Sequence, residues 1–224
     1  MKSKLKAIAK AVLDTPDAKA PHYNPKITLA TANELLYFRR LLDLVKGRAG
    51  DIVECGVGYG HSLVLWSALA QLEHRKVWGF DSFEGFPEPH EKDKSPRNPQ
   101  KGQFASDLKG VVKLLESSGL GTEFVRSQVT LVKGFFSETV GKYTGSGIAL
   151  LHIDADLYQS YLDVLSVLYD KVIPGGVIVF DEYMNTYEHY KFPGAKKAID
   201  EFFIPRAVPI LRDEAHGGYY VIKP

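Results

Sequence analysis

An alternation constrains this chain more than any other feature. Short apolar runs at 51–55, 76–80, 129–132, 148–153 and 177–180 are separated by helical patterns at 61–73, 107–118 and 157–172. A strand that returns parallel to itself through a helix does so by a right-handed crossover, and repetition of that unit builds a mostly parallel sheet covered on both faces. The run Ile148-Ala149-Leu150-Leu151-His152-Ile153 is almost continuously apolar, as a strand buried on both faces must be. Pro174-Gly175-Gly176 stops the helix at 157–172 ahead of the strand at 177–180. A helix at 193–203, with Pro193 suited to a first turn, and short strands at 208–211 and 219–222 complete an α/β body of seven strands. Ligands of such sheets sit at the carboxyl ends of the strands, so the residues just after each strand carry the information about chemistry.

Ahead of that body, residues 1–26 read as a short amphipathic helix and a linker with Pro16, Pro21 and Pro25, either a packing arm or a lid or dimerisation arm. Leu35, Leu36, Phe38, Leu41, Leu42 and Val45 recur at helical spacing over 32–45, and Gly47 and Gly50 close that helix. The organisation expected is an N-terminal helical arm or cap at 1–46 and one domain at 47–224. Residues 84–104, with Pro87, Pro89, Pro96 and Pro99, are predicted to be a loop.

Composition removes several classes of function. Lys+Arg 28 against Asp+Glu 27 leaves a net charge of +1, which argues against a nucleic-acid partner held by electrostatics. The single cysteine, Cys55, forms no intrachain disulfide, and no Cys/His spacing suggests zinc. Lys6 and Lys10 interrupt the apolar run a secretory signal needs, and no window approaches the roughly 20 apolar residues of a membrane span. The expectation is a cytoplasmic protein with no membrane partner, its homo-oligomeric state left open.

After the first strand stands Glu54-Cys55-Gly56-Val57-Gly58-Tyr59-Gly60, whose glycines permit a tight turn and a close approach of backbone to a ligand at a helix N-terminus. Asp81 follows the second strand, where a carboxylate can accept hydrogen bonds from two ribose hydroxyls. With Glu54, the set points to an adenosine-containing ligand. The third glycine of the dinucleotide fingerprint is missing, which disfavours a nicotinamide dehydrogenase.

Two neighbouring strands then end in acids: Asp154 and Asp156 after one, Asp181 and Glu182 after the next. Uncompensated carboxylates at such a rim raise one another's pKa, and a hard divalent cation with oxygen ligands resolves the conflict. Asp154, Asp181 and Glu182 are the expected Mg2+ ligands. Asp156 reads either as a group facing a substrate hydroxyl or as the N-cap of the helix beginning near Leu157. The segment from Tyr183 to Phe192, with Tyr187, His189 and Tyr190, either lines an acceptor site or packs on the last helix.

Glu54-Cys55-Gly56-Val57-Gly58-Tyr59-Gly60, Phe80-Asp81-Ser82-Phe83-Glu84-Gly85-Phe86-Pro87, Leu131 to Thr139, His152-Ile153-Asp154-Ala155-Asp156-Leu157-Tyr158 and Pro174-Gly175-Gly176 together resemble the macrocin O-methyltransferase family, over roughly residues 50–203. The resemblance implies a Rossmann-like class I methyltransferase fold and a metal-dependent enzyme that uses S-adenosylmethionine to methylate a hydroxyl of a sugar or glycosylated small molecule. It implies that Glu54, Gly56, Gly58 and Gly60 surround the methionine part of the cofactor. It places Asp81, Ser82 and Phe83 at the ribose and Gly134 and Phe135 beside the adenine. Asp154 and the pair after the fifth strand would bind Mg2+, and Asp156 would be the general base. The family usually carries Asp-Asp where this chain has Asp181-Glu182. A catechol-like phenol acceptor and a non-catalytic S-adenosylmethionine-binding scaffold are the alternatives.

Overall fold

The computed structural model describes residues 28–184 and 191–224. The amphipathic arm expected at 1–26 and the residues Tyr187, His189 and Tyr190 lie outside the described residues. Strands β1 (Asp51–Cys55), β2 (Val77–Asp81), β3 (Val129–Lys133), β4 (Ile148–Ile153), β5 (Val172–Phe180), β6 (Leu211–Arg212) and β7 (Tyr219–Ile222) form one seven-stranded sheet in the order β3-β2-β1-β4-β5-β7-β6. The first five are parallel, and β7 pairs antiparallel with both β5 and β6. Helices α1 (Leu29–Leu44), α2 (His61–Glu73), α3 (Leu108–Ser117), α4 (Thr122–Gln128), α5 (Phe136–Thr139), α6 (Tyr158–Leu168) and α7 (Pro193–Phe203) accompany it. None of these helices is long and apolar enough to cross a membrane.

Strand side chains alternate between faces, and the core divides accordingly. Ile52, Leu150, Val177 and Val179 pack against Phe38 and Leu41 of α1, Trp66 of α2 and Val111 of α3. Val53, Cys55, Ile153, Ile178 and Phe180 pack against Tyr161 and Leu165 of α6 and Ile199 and Phe203 of α7. Every residue of β1 and β4 is buried, as the continuous apolar run requires. Helix α1 is built into this body: Phe38 stacks on Trp66 at 3.8 Å and Tyr37 on His216 at 3.9 Å, while Arg40 holds Asp213 through two bonds of 2.8 Å.

The sheet departs from the sequence reading in one informative place. The helix expected over 157–172 ends at Leu168, and β5 begins at Val172, before Pro174-Gly175-Gly176 rather than after it. Ile148 pairs with Val172 and Leu150 with Val177, so the proline and glycines are accommodated as a bulge. Their backbone is tied to the chain's last strand by Gly175 N–H to Lys223 O, 2.8 Å, and Lys223 N–H to Gly176 O, 2.9 Å. The strand expected at 208–211 is confined to Leu211–Arg212, and α4 and α5 were not foreseen, being too short for an amphipathic period to register.

The proline-rich loop is pinned. Phe86 and Gln103 close its neck, with Phe86 N–H to Gln103 O at 2.9 Å. At its centre Asp93 is fully buried, accepting the Tyr158 N–H on Oδ1 and the His90 N–H on Oδ2, each at 2.8 Å. Helix α6 has Leu157 at its N-cap and no capping side chain of its own, so the loop supplies the missing acceptor. Gly194 of α7 lies against the same carboxylate: a Cβ there would fall 1.8 Å from Asp93 Oδ1. Replacing Gly194 with Ala gains at most about 1 kcal/mol of helix propensity, whereas overpacking a filled site costs typically 1–3 kcal/mol. Gly194→Ala is therefore expected to lower the melting temperature by several degrees; a melt at or above wild type would show that Asp93 does not fix the loop.

Candidate active site

The register of the parallel strands lines up their ends. Cys55 pairs with Phe80 and with Ile153, and Ile153 pairs with Phe180. The ladder runs one residue further: Gly56 N–H bonds Phe80 O at 2.9 Å, Asp154 N–H bonds Cys55 O at 2.9 Å, and Asp181 N–H bonds Ile153 O at 3.1 Å. Asp81, Gly56, Asp154 and Asp181 thus follow one another along a single rim. Gly56 has φ +99°, and a Cβ on it would fall 1.6 Å from the Asp154 carbonyl oxygen, so only glycine lets β1 and β4 turn here together. Above the rim opens a cavity of about 1070 Å³, which Gly56, Gly58, Asp81, Ser82 and Phe135 line at one end and Asp154, Asp156 and Asp181 at the other.

At the glycine-loop end, Asp81 is the fixed point. Its Oδ2 accepts the Gly58 N–H at 2.8 Å and its Oδ1 the Phe83 N–H at 2.6 Å, while its carbonyl accepts the Gly134 N–H at 2.9 Å. Burial raises its pKa, and the backbone donors work in the opposite direction. Ser82 donates to Gly85 O at 2.8 Å and shapes the turn. Phe83 and Gly134 hold Asp81 from behind and are not part of the cavity wall, nor is Gly60, which caps α2. Glu54 is likewise buried beneath the loop; its Oε1 lies 2.9 Å from His152 Nδ1, and its Oε2 has no partner among the described residues. Trp66 Nε1–H points at the same imidazole nitrogen, 3.1 Å away. Burial favours the neutral ring, but the contact with Glu54 and the charges of Asp154 and Asp181 together leave the His152 pKa raised.

At the other end the structure gathers Asp154, Asp156 and Glu182, each with a carboxylate oxygen within 4.8 Å of the others. Asp181 lies outside this trio, although it lines the cavity. Alternation along β5 accounts for the division. Val179 faces the α1–α2 side and Phe180 the α6–α7 side. Continued past the strand end, that phase sends Asp181 toward α1, where its charge acts on Glu34, Tyr37 and His216. Glu182 goes to the opposite side and is buried against Tyr161 of α6, with a short hydrogen bond between Tyr161 Oη and Glu182 Oε2. Asp156 comes from the β4–α6 connection at φ +56°, inside a three-residue turn closed by Leu157 N–H to Ala155 O. It does not cap α6; Asp93 does.

Burial raises the Asp154 carboxyl well above its ordinary range, and the charges of Asp181 and Asp156 push it further. Glu182 is raised for the same first reason, then by Asp154 and Asp156. Such a trio is stable only with a shared proton or with a cation among its oxygens, and an all-oxygen donor set suits Mg2+, Mn2+ or Ca2+.

Other cavity residues escaped the sequence reading. Glu34 of α1 lines the wall with its pKa raised by burial. One helical turn before Phe38, it is an acid on an otherwise apolar stripe, which was the available signal. Phe86, Arg97 and Phe104 come from the proline-rich loop, with the Arg97 guanidinium 5.2 Å above the Phe104 ring. Nothing local in the sequence announces them, since only the anchoring of the loop by Asp93 brings them over the rim.

Comparisons with known proteins fit this geometry. The sequence profile of the Macrocin-O-methyltransferase (TylF) family matches residues 28–208. The chain is 34% identical over 148 residues to the 8-demethyl-8-(2,3-dimethoxy-alpha-L-rhamnosyl)-tetracenomycin-C 4'-O-methyltransferase of Streptomyces olivaceus, a match covering 62% of this chain and 55% of that protein. It is 31% identical over 167 residues to the demethyldecarbamoylnovobiocin O-methyltransferase of Streptomyces niveus, covering 68% and 58%. The chain thus spans little more than half the length of these curated relatives. Among solved structures, the calicheamicin methyltransferase CalS11 superposes with a TM-score of 0.77 at 25% identity, covering 99% of this chain and 91% of that one.

The raised carboxyls make a prediction about stability. Groups whose folded pKa exceeds the unfolded value, about 4.3 for Glu, favour the native state at low pH and lose that contribution as pH rises through the folded value. In divalent-free buffer the melting temperature is expected to fall as the pH rises above that unfolded value, with saturating Mg2+ removing most of the fall. Scanning calorimetry that finds no effect of Mg2+ at any pH above that value would rule out a cation among these carboxylates.

Proposed function

The chain belongs to the macrocin O-methyltransferase family, and from that premise we propose that it transfers the methyl group of S-adenosylmethionine to a hydroxyl of a sugar or glycosylated small molecule, with Mg2+ held at the acidic end of the rim. The observation that carries this reading is that one cavity joins Asp81 and the glycine loop to the carboxylates after β4 and β5. The relatives' names support the acceptor class, one being a methyltransferase of a rhamnosyl tetracenomycin.

The residues present fit both groups. Asp81 faces the cavity with its Oδ2 accepting the Gly58 N–H and its Oδ1 the Phe83 N–H, and the lone-pair capacity that its backbone donors leave open is available to ribose hydroxyls. A Cβ on Gly58 would meet no protein atom within 4 Å, so the loop leaves room for a ligand to approach its backbone. Gly56 and Gly58 are assigned to the methionine part, Ser82 to the ribose turn and Phe135 to the adenine side, with Glu54, Gly60, Phe83 and Gly134 holding that wall from behind. Bound there, S-adenosylmethionine supplies a sulfonium methyl group as electrophile. The all-oxygen donor set around Asp154 suits a hard cation; Asp154 and Glu182 are assigned to hold it, and Asp181, on the α1 side of the same cavity, would join them only by turning toward them. A divalent cation supplies a lowered pKa for a hydroxyl bound to it, as zinc lowers that of water from about 15.7 to about 7.

The chain's own residues do the rest. The turn at Asp156 sets its carboxylate at the rim beside Asp154, where it accepts the proton of the attacking hydroxyl. Phe86, Phe104 and Phe192 form an aromatic wall on the loop side that limits water access and can stack on a sugar face. The strand ladder holds the two ends of the cavity in fixed relation, which is what an in-line displacement demands.

The membership of Asp156 in the trio favours a second reading, in which it is a cation ligand instead of the base. Two variants separate them. As base, Asp156→Asn lowers kcat by about 10²–10⁴-fold and leaves Mg2+ affinity near wild type, whereas Asp154→Asn loses both. Equal loss of Mg2+ affinity in the two variants would make Asp156 a ligand. The activity itself is tested by incubating the protein with S-adenosylmethionine, Mg2+ and a panel of glycosides and catechols, followed by mass spectrometry for gain of one methyl group. Methylation of glycosides that chelator abolishes is expected. Full turnover in excess chelator would overturn the cation's role, and methylation of catechols alone would overturn the acceptor class.

A further inference from the structure

We propose that Tyr161 is a positioning residue for the cation site, its hydroxyl acting as the donor that fixes the Glu182 carboxylate in ligating orientation. This rests on the reading of Glu182 as a Mg2+ ligand. Tyr161 is on the first turn of α6 and is wholly buried, with its ring in the core between the sheet and α7. Its hydroxyl approaches two acceptors, Ile153 O at 2.9 Å and Glu182 Oε2 in a shorter contact.

A hydroxyl has one proton, so it serves one of these acceptors at a time. Ile153 O already accepts the Asp181 N–H at 3.1 Å, the bond that extends the β4–β5 ladder into the rim. The carbonyl is satisfied without Tyr161, and an anionic Glu182 is the stronger acceptor. Among the described residues, Glu182 has no Lys, Arg or His within ion-pair distance. Its other side-chain partner is Asp154, which cannot donate to it when both are ionised. Tyr161 is then the donor left for the carboxylate in its ligating state.

The glutamate at position 182 gains a physical meaning from this contact. A glutamate has one more methylene and one more rotatable bond than an aspartate, so its carboxylate sweeps a larger volume and loses more entropy when fixed. The hydroxyl of Tyr161, carried on a rigid buried ring, removes that freedom before a cation arrives. Partners that orient ligands in this way are typically worth 10–100-fold in metal affinity.

The test is calorimetric titration of Mg2+ into wild type, Tyr161→Phe, Glu182→Gln and the double variant. Tyr161→Phe removes one oxygen from a packed position, keeps the ring and leaves Ile153 O bonded to Asp181. The expected result is a 10–100-fold weaker Mg2+ dissociation constant in Tyr161→Phe, and no further weakening when Tyr161→Phe is added to Glu182→Gln. That absence of a second effect is a coupling that a merely structural loss would not produce. At saturating Mg2+, the kcat of Tyr161→Phe should return to near wild type. Mg2+ binding by Tyr161→Phe equal to wild type, or an equal weakening in both backgrounds, overturns the proposal while leaving Glu182 as a ligand. No Mg2+ binding by wild type overturns the ligand reading and this proposal with it. Should Tyr161→Phe fail to fold, Tyr161→Met in the same cycle is held to the same two criteria.

Discussion

Like charge held together inside the protein is the constraint on which the rest of this structure depends. Asp154, Asp156 and Glu182 bring carboxylate oxygens within 4.8 Å of one another. At an effective dielectric constant near 20, two full charges 4 Å apart repel by about 4 kcal/mol. Left free, such groups would swing into solvent. They are prevented by the β4–β5 ladder, which fixes the backbone at Asp154 and Asp181, and by the turn that holds Asp156 at positive φ. Burial of Glu182 under α6 does the rest. The fold spends backbone order to keep an unfavourable arrangement, which a shared proton or a bound cation would relieve.

The same backbone joins the acidic end to the glycine loop. Asp154 N–H bonds Cys55 O, and the Asp154 carbonyl lies where a side chain on Gly56 would have to be. Movement of one end therefore displaces the other, so cofactor pocket and acidic rim form one rigid unit. Around it, the loop anchored by Asp93 and helix α1 with Glu34 make the walls. These walls, which include Arg97 and Phe104, are the surfaces that a ligand in the cavity would meet.

Much of this was legible in the residues. Alternating apolar runs and helical patterns announced a parallel sheet, and the rule that ligands gather at carboxyl strand ends singled out Gly56, Asp81, Asp154 and Asp181. What the sequence did not carry was the phase of side chains past a strand end. Asp181 and Glu182 read as an equivalent pair, yet alternation sends one toward α1 and the other toward α6. Pro174-Gly175-Gly176 read as a stop, because a bulge that takes proline into a strand depends on the partner strand and not on local propensity. Asp93 carries no local signal that sets it apart; only tertiary contact reveals it as the cap of α6. Glu34 was readable in principle, as an acid on an apolar helical stripe.

In the proposed function the carboxylates after β4 and β5 share a cation that the acceptor hydroxyl meets. Anomalous diffraction from crystals grown with Mn2+ in place of Mg2+ tests it most directly. A single strong peak is expected at the acidic end of the cavity, about 2 Å from an oxygen of Asp154 and of Glu182. An empty rim with Asp154 and Glu182 still hydrogen-bonded to each other, or a peak bound elsewhere in the cavity, would contradict it.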